Sequence, residues 1–407
     1  MRIAMVTDYY LPTLGGVQTV IKAHREALEH DGHEVTVFSP LAHPSTDPGV
    51  VRLPTARLFA PDGYPFTWTA AAAARMLRRE LRARRIDVVH VHTEMFAALA
   101  GFEAARGLGI PVVQTMHGRI DVYTRSVLPL PALTTALLAG LHRRRMSHDE
   151  ARIDPREPYA RTRTARRMWR LMVSQANHAT HVIVPSAHFA AKLRAQGVRT
   201  PITVLSNGLE ASVLEALGTP QPRAIVPGEA LRALWCGRLS PEKRPDVFID
   251  AVARTPGIAA EMFGDGVARS AVAKRIAAVA PGRITAHGAV PQDRILEAMR
   301  AAHLLVSSSL DFDNQPMVIL EAIAAGLPVL VTDPDLAEAL PPRGGLVTPT
   351  PDVAGLASAL ADLRDDPARI ARMSAAALAH RAHIAQSTHR AGLVDVYRAA
   401  IESRGTG

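Results

Sequence analysis

Residues 311 to 328, DFDNQPMVILEAIAAGLP, set Asp313 eight positions ahead of Glu321 and close on a Gly-Leu-Pro stop. About seventy residues earlier, the run CGRLSPEKRPD at 236 to 246 holds Arg238 and Lys243 five positions apart. An arginine can grip a diphosphate in a fork, and a lysine can meet it as a point charge. A carboxylate further along suits ribose or sugar hydroxyls. Lysine is rare in this chain, with only Lys22, Lys192, Lys243 and Lys274, so a lysine kept in a strand-to-helix loop is not generic surface charge. Together the two runs point to an enzyme that holds a nucleotide-diphosphate sugar.

Outward from these runs the elements alternate. Apolar strands at RIAMVTD, EVTVFSP, VVHVHT, PVVQTMH and HVIVPS are separated by helical stretches such as VIKAHREALEHDG and AAAARMLRRELRARR. After PITVLSNGLE the rhythm restarts with LRALWCGR, AAEMFGD, RITAHG, HLLVSSS and LPVLVTD. Strands alternating with helices imply a parallel sheet covered on both faces. A chain of 407 residues exceeds what one core usually holds. The expectation is two doubly wound α/β domains in tandem, facing each other across a cleft, with ligands at the carboxyl ends of the strands. The first runs over 1–208 and is completed by about 385–407, whose final helix crosses back to it; the second spans 209–384. Residues 142 to 168, polar, Arg-rich and broken by Pro155 and Pro158, read as an excursion followed by a helix from about 160.

Composition narrows the function. The single cysteine, Cys236, excludes a disulfide framework and a multi-cysteine metal site, and inside a strand it reads as packing. Net charge is +9, yet residues 75 to 85 and 142 to 170 alone carry +11. A basic face of that kind meets anionic lipid headgroups, or is a solvated surface. With aromatics at 4% and no stacking platform, nucleic acid is not an expected partner. The opening MRIAMVTDYY reads as a buried strand without the features of a signal peptide. The longest apolar runs, such as PLPALTTALLAGL at 129 to 141, fall short of the roughly 20 residues that span a bilayer. The expected location is cytoplasmic, peripheral on the inner face of the cell membrane.

Several turns stand where such sheets put chemistry. Gly15 and Gly16 precede a helix after the first strand, where amides can face an anion or the chain can simply turn. Gly264 and Gly266 of FGDG serve a turn or a phosphate equally well. His92 and His117 end two strands, and Glu94 is either functional or an acid at a helix start.

These residues resemble glycosyltransferase family 4, retaining enzymes of the GT-B fold. The motifs run along most of the chain: the glycine pair, VVHVHTE, QTMHG, VIVPS, VLSNGLE, GRLSPEK, FGDG and LEAIAAGLPVLVTD. The resemblance implies that Arg238 and Lys243 bind the donor diphosphate and that Glu321, the second glutamate of the family's Glu, seven residues, Glu motif, contacts ribose. Asp313 stands where the first glutamate is usual, one methylene shorter, and would meet the donor hexose. Asn314, Gln315, Pro316 and Met317 would bring backbone amides to the sugar. Gly16 would admit the β-phosphate, His117 would sit near the 6-hydroxyl, and the loop His287 to Val290 would border the base.

The resemblance further implies transfer of a hexose from a UDP- or GDP-sugar by front-face substitution, with the sugar nucleotide as co-substrate and no cofactor. No Asp-X-Asp pair is recognised at a strand end, so no essential metal is expected. HTEMFAALAGFEA, HGRIDVYTRSVLP and Gln315 after the acidic position resemble the branch that glycosylates membrane glycerolipids, although Pro316 replaces the usual glycine and Gly118 follows His117. Soluble or polyprenyl-linked acceptors remain open, as do a nonhydrolysing sugar-nucleotide epimerase and a non-enzymatic sensor of the same fold.

Overall fold

The computed structural model describes the chain except residues 12–14, 56–64, 68–69, 128–129, 150, 227 and 404–407. The chain divides into two compact units, Met1–Asn207 with His389–Gly407, and Gly208–Thr388.

In the first unit seven strands form one parallel sheet: β1 (Arg2–Val6), β2 (Glu34–Pro40), β3 (Val50–Leu53), β4 (Val88–Val91), β5 (Val112–Thr115), β6 (His181–Val184) and β7 (Ile202–Val204). Their order across the sheet is β3-β2-β1-β4-β5-β6-β7. The pleat sorts the core: Ala4 and Val6 of β1 face a cluster with Leu77, Leu99, Trp169 and Phe189, while Ile3 and Met5 face Ile21, Leu28, Leu393 and Tyr397. Both faces are therefore covered, which is why the strands read as continuous apolar runs. The last helix, which lies within Gln386–Glu402, supplies Leu393 and Tyr397 to the second of these layers.

The second unit repeats the plan with six parallel strands: β8 (Leu231–Cys236), β9 (Ile258–Phe263), β10 (Ile284–Gly288), β11 (Leu304–Ser307), β12 (Val329–Val331) and β13 (Gly345–Val347), in the order β10-β9-β8-β11-β12-β13. Trp235, Phe248, Ile249, Leu304 and Leu360 are among its core residues. In each unit the strand order reverses once, between β1 and β4 and between β8 and β11. The carboxyl ends of those two strand pairs are the position at which doubly wound sheets bind ligands.

Three strands, β3, β7 and β13, lack a counterpart in the sequence reading. They are three or four residues long and lie at or next to the edges of the sheets, too short for an alternation to register against neighbouring turns. The helix Pro131–Arg143 runs into the start of the Arg-rich excursion, and the helix read from about residue 160 starts at Arg163, where Thr162 accepts a hydrogen bond from the Ala165 amide and caps it.

Candidate functional site

The reversal point of the second unit gathers the residues of the two opening motifs. Arg238 and Lys243 lie in the loop after β8, and Asp313 lies in the loop after β11. Lys243 Nζ donates to both carboxylate oxygens of Asp313, at 2.7 and 2.8 Å, and lies 5.2 Å from the centre of the Phe312 ring. Residues 70 positions apart in the chain thus form one ion pair, with side chains 19% and 12% exposed. The pair is a neutralised, partly buried charge that a diphosphate and a hydroxylated sugar could divide between them: the ammonium goes to the anion, the carboxylate to the hydroxyls.

Lys243 is held from behind. Trp235 Nε1 donates to Ser308 Oγ at 3.0 Å, and Ser308 Oγ donates to the Lys243 carbonyl at 2.8 Å, joining the loops after β8 and β11. Arg238 donates to Glu242 Oε1 at 3.2 Å, and the same oxygen accepts from Ser240 Oγ at 2.7 Å. The buried Glu242 carboxylate therefore orients the guanidinium. None of Trp235, Ser308, Ser240 or Glu242 was singled out in the sequence; each acts through a neighbour, and Trp235 and Ser308 meet theirs only because the folded loops bring them close.

Glu321 lies in the helix Met317–Ala324 and is 9% exposed. Burial pushes its carboxyl up to about 7, partly countered by Gln292, whose Nε2 donates to Oε1 at 2.7 Å. Of the four residues 314 to 317, Asn314, Gln315 and Met317 each carry a backbone N–H, whereas Pro316, which caps the helix, has none. Amide donation from this segment is accordingly limited to three residues. Asn314 is buried, and Gln315 and Pro316 are half-buried.

Gly264 has a more specific reason for its identity. Its φ is +137°, and a Cβ there would lie 1.8 Å from the Gly237 carbonyl oxygen. At Gly266, φ +155°, a Cβ would lie 2.5 Å from the Leu239 carbonyl oxygen. The loops after β8 and β9 pass too closely for any side chain, which accounts for both glycines without a phosphate. Val290 follows Gly288 at the end of β10, where His287 stacks on Phe263 with centroids 4.3 Å apart and planes 8° from parallel.

Two Asp-X-Asp runs do stand beyond strand ends, Asp311 to Asp313 after β11 and Asp333 to Asp335 after β12. Asp313 is taken up by Lys243, while Asp333 receives the backbone amides of Asp311, at 2.6 Å, and Asp335, at 3.0 Å. Among the described residues these carboxylates do not form a set of three converging ligands. Cys236 ends β8, and burial raises its thiol pKa, in keeping with a packing role.

The first unit has its own strand-end cluster. Gly16 opens the helix Gly16–His30 and is exposed; Gly15 before it is in extended backbone. His92, just past β4, is buried, and its Nδ1 lies 3.1 Å from Nε2 of His117, just past β5. Burial, and then the proximity of His24, pulls His117 down to about 3, so it faces its surroundings as a neutral ring. Glu94 caps nothing: the helix Phe96–Arg106 begins against Asp8, from beyond β1, which accepts from the amides of Met95, Ala97 and Ala98 at 3.2, 2.7 and 3.4 Å. Burial raises the Glu94 carboxyl to about 8. The segment after His117 is anchored by Arg119, which is buried, paired with Asp121 at 2.7 Å and placed over the rings of Tyr159 and Trp169 at 5.3 and 5.5 Å.

Two family models match the chain, "Glycosyltransferase Family 4" over residues 14–213 and "Glycosyl transferases group 1" over residues 230–366. Alpha-monoglucosyldiacylglycerol synthase of Acholeplasma laidlawii is 24% identical over 358 residues, covering 83% of this chain and 82% of that protein. GDP-mannose-dependent alpha-mannosyltransferase of Mycobacterium tuberculosis is 26% identical over 372 residues, covering 86% and 84%. Among solved structures, HepE of Anabaena in complex with UDP-glucose superposes with a TM-score of 0.67 at 17% identity, over 97% of this chain and 99% of that one.

Proposed function

The chain belongs to the family 4 glycosyltransferases and has the GT-B fold, and on that premise we propose that it moves a hexose from a nucleotide-diphosphate sugar to a hydroxyl of a membrane glycerolipid, with retention. The observation that carries this reading is the Lys243 and Asp313 ion pair at the reversal point of the second unit. The donor displaces the pair: Lys243, with Arg238, meets the diphosphate, and Asp313 meets the hexose hydroxyls. Glu321 contacts ribose, with amides of Asn314, Gln315 and Met317 toward the sugar and Gly264 and Val290 along the nucleotide. From the first unit, Gly16 faces the β-phosphate and His117 the 6-hydroxyl. The first unit takes the acceptor and the second the donor.

In the reaction the bond from the anomeric carbon to the β-phosphate oxygen breaks, and the acceptor oxygen bonds to that carbon from the same face. The acceptor proton passes to the departing phosphate oxygen, so no side-chain base is needed. Charge grows on the leaving diphosphate as the bond breaks, and the two cations offset it in a partly buried site, where such fixed charges act most strongly. The reaction, so written, balances with the residues of this chain and no metal.

Support for a lipid acceptor comes from the helix Pro131–Arg143. Leu133 and Leu137, with Leu130 just before it, are 65%, 51% and 73% exposed, and Arg143, Arg144 and Arg145 close it at the basic end. An apolar ridge ending in arginines suits the boundary between headgroups and acyl chains. Among the described residues no helix is long and apolar enough to cross a membrane, and the enzyme is proposed to act from the bilayer surface on the cytoplasmic side. The similarity to a diacylglycerol glucosyltransferase agrees.

Incubation with a panel of UDP- and GDP-sugars and vesicles containing diacylglycerol and anionic lipid tests the reading. Nucleoside diphosphate and a glycosylated lipid should appear together from one donor, and both should be lost in Lys243→Ala. Conversion of the sugar nucleotide to an epimer without release of nucleoside diphosphate would overturn it; release with label only in water-soluble or polyprenyl products would overturn the lipid acceptor.

A further inference from the structure

Three imidazoles meet inside the first unit, and among the described residues no carboxylate joins their group. His24 belongs to the helix Gly16–His30, His90 to β4, and His92 follows that strand; they are 2%, 0% and 1% exposed. Each offers a ring nitrogen within 4.8 Å of the others. His24 Nδ1 and His92 Nε2 are buried with no hydrogen-bond partner. A neutral imidazole has one donor and one acceptor nitrogen, and leaving either unpaired in the interior costs about 1–3 kcal/mol. Burial disfavours the charged form of all three rings, which keeps lone pairs available.

We propose that His24, His90 and His92 bind one divalent transition-metal ion of the zinc class, which ties the helix Gly16–His30 to the carboxyl end of β4. Three neutral nitrogen donors and no oxygen anion select such an ion over calcium or magnesium. His24 and His92 use their unpartnered nitrogens. His90 holds Tyr397 Oη at Nδ1 and Thr115 Oγ1 at Nε2, both at 2.7 Å; it joins by exchanging one hydroxyl for the ion and keeping the other as the outer hydrogen bond that orients a ligating ring. Metal–nitrogen bonds of about 2.0–2.1 Å in a tetrahedral site draw the three nitrogens closer together, with water as fourth ligand.

The site reaches the transfer machinery through one contact. His92 ligated at Nε2 carries its proton at Nδ1 and donates it to His117 Nε2, 3.1 Å away, so His117 keeps its own proton at Nδ1. His92 is then a positioning residue for His117, and the ion holds the helix that begins at Gly16. This site does not depend on the identity of donor or acceptor.

The test uses the full chain, stripped with a chelator and titrated with cobalt(II), whose visible spectrum reports geometry and ligand type. One equivalent should give the bands of a tetrahedral, nitrogen-rich site, and zinc should displace it. His24→Ala, checked for folding by circular dichroism, should lose the bands, while the double variant His380→Ala with His383→Ala, which removes a stacked histidine pair elsewhere, should keep them. Zinc should raise the melting temperature of the parent and not of His24→Ala. X-ray absorption of the parent zinc form, which needs no variant, should count three imidazoles. Octahedral or absent cobalt bands, bands that persist in His24→Ala, bands lost with His380 and His383, or fewer than three imidazoles would each overturn the proposal.

Discussion

At the scale of single residues, the proposed chemistry turns on two opposite charges that neutralise each other. Lys243 and Asp313 satisfy one another at 2.7 and 2.8 Å, and in the proposed reading a donor separates them. Lys243→Ala should lower kcat by roughly 10²–10³, the usual loss for one preorganised charge-stabilising group. Lys243→Arg should recover only part of this, because a planar fork does not fit a site built for a point charge. Glu321 makes a second, pH-dependent prediction. Its carboxyl titrates near 7 in the folded chain, above the ordinary value, so it is protonated on the acid side. Donor KM should therefore rise as pH falls through about 7, and the same scan on Glu321→Gln should be flat; a parallel profile in both would remove Glu321 from the donor site. The raised value also means that its contribution to stability is full below the ordinary carboxylate range and is lost as pH rises toward 7. Arg238, Lys243, Asp313 and Glu321 were singled out in the sequence by type and spacing, and the structure brings Lys243 and Asp313 into contact. Asp8 was not: it caps a helix that starts almost ninety residues later, and nothing local to MVTDYY announces a partner so distant.

At the scale of elements, the strands read most plainly were those buried on both faces, such as β1, β4 and β5. The short strands β3, β7 and β13 gave no period to count. The helix Pro131–Arg143 was legible as an apolar segment next to a basic one, but the sequence could not say which of its residues point outward. The structure leaves Leu133 and Leu137 exposed four positions apart, one helical turn, so they share a face. Each leucine that enters an apolar phase contributes about 1.5–3 kcal/mol. Leu133→Asp with Leu137→Asp should weaken vesicle binding by at least about tenfold while leaving the melting temperature and donor binding in place; sedimentation with anionic vesicles reads the difference. Unchanged sedimentation would remove this helix from the membrane contact. The glycines of FGDG were ambiguous in the sequence because a phosphate and a passing strand make the same demand on Cβ; the Gly237 carbonyl settles what Gly264 must accommodate.

At the scale of the whole molecule, the alternation of strands and helices disclosed two doubly wound sheets, and the reversal of strand order in the second unit falls beside the loops that hold Arg238, Lys243 and Asp313. The last helix belongs energetically to the first unit: Leu393 and Tyr397 are fully buried there, and Tyr397 meets His90 at 2.7 Å. Tyr397→Ala should cost about 3–5 kcal/mol, as expected for emptying a large aromatic site, and truncation after residue 388 should lower the first unfolding transition; an unchanged melting curve would contradict this. The first unit should also be the more acid-sensitive. His142 and His148, 2.8 Å apart, are held down to about 3 and about 4 by burial. Such groups stabilise fully above their ordinary value near 6.5, and that stability is lost as pH falls toward the folded values. Melting temperature should drop between pH 6.5 and 4, less steeply in His142→Gln with His148→Gln.

The most direct measurement is calorimetric binding of UDP, GDP and their sugars to the parent and to Lys243→Ala. The account predicts that one nucleoside diphosphate binds with one-to-one stoichiometry and at least about tenfold more weakly to the variant, about 1.4 kcal/mol or more. Binding of equal strength to both proteins, or none by any nucleotide, would contradict it.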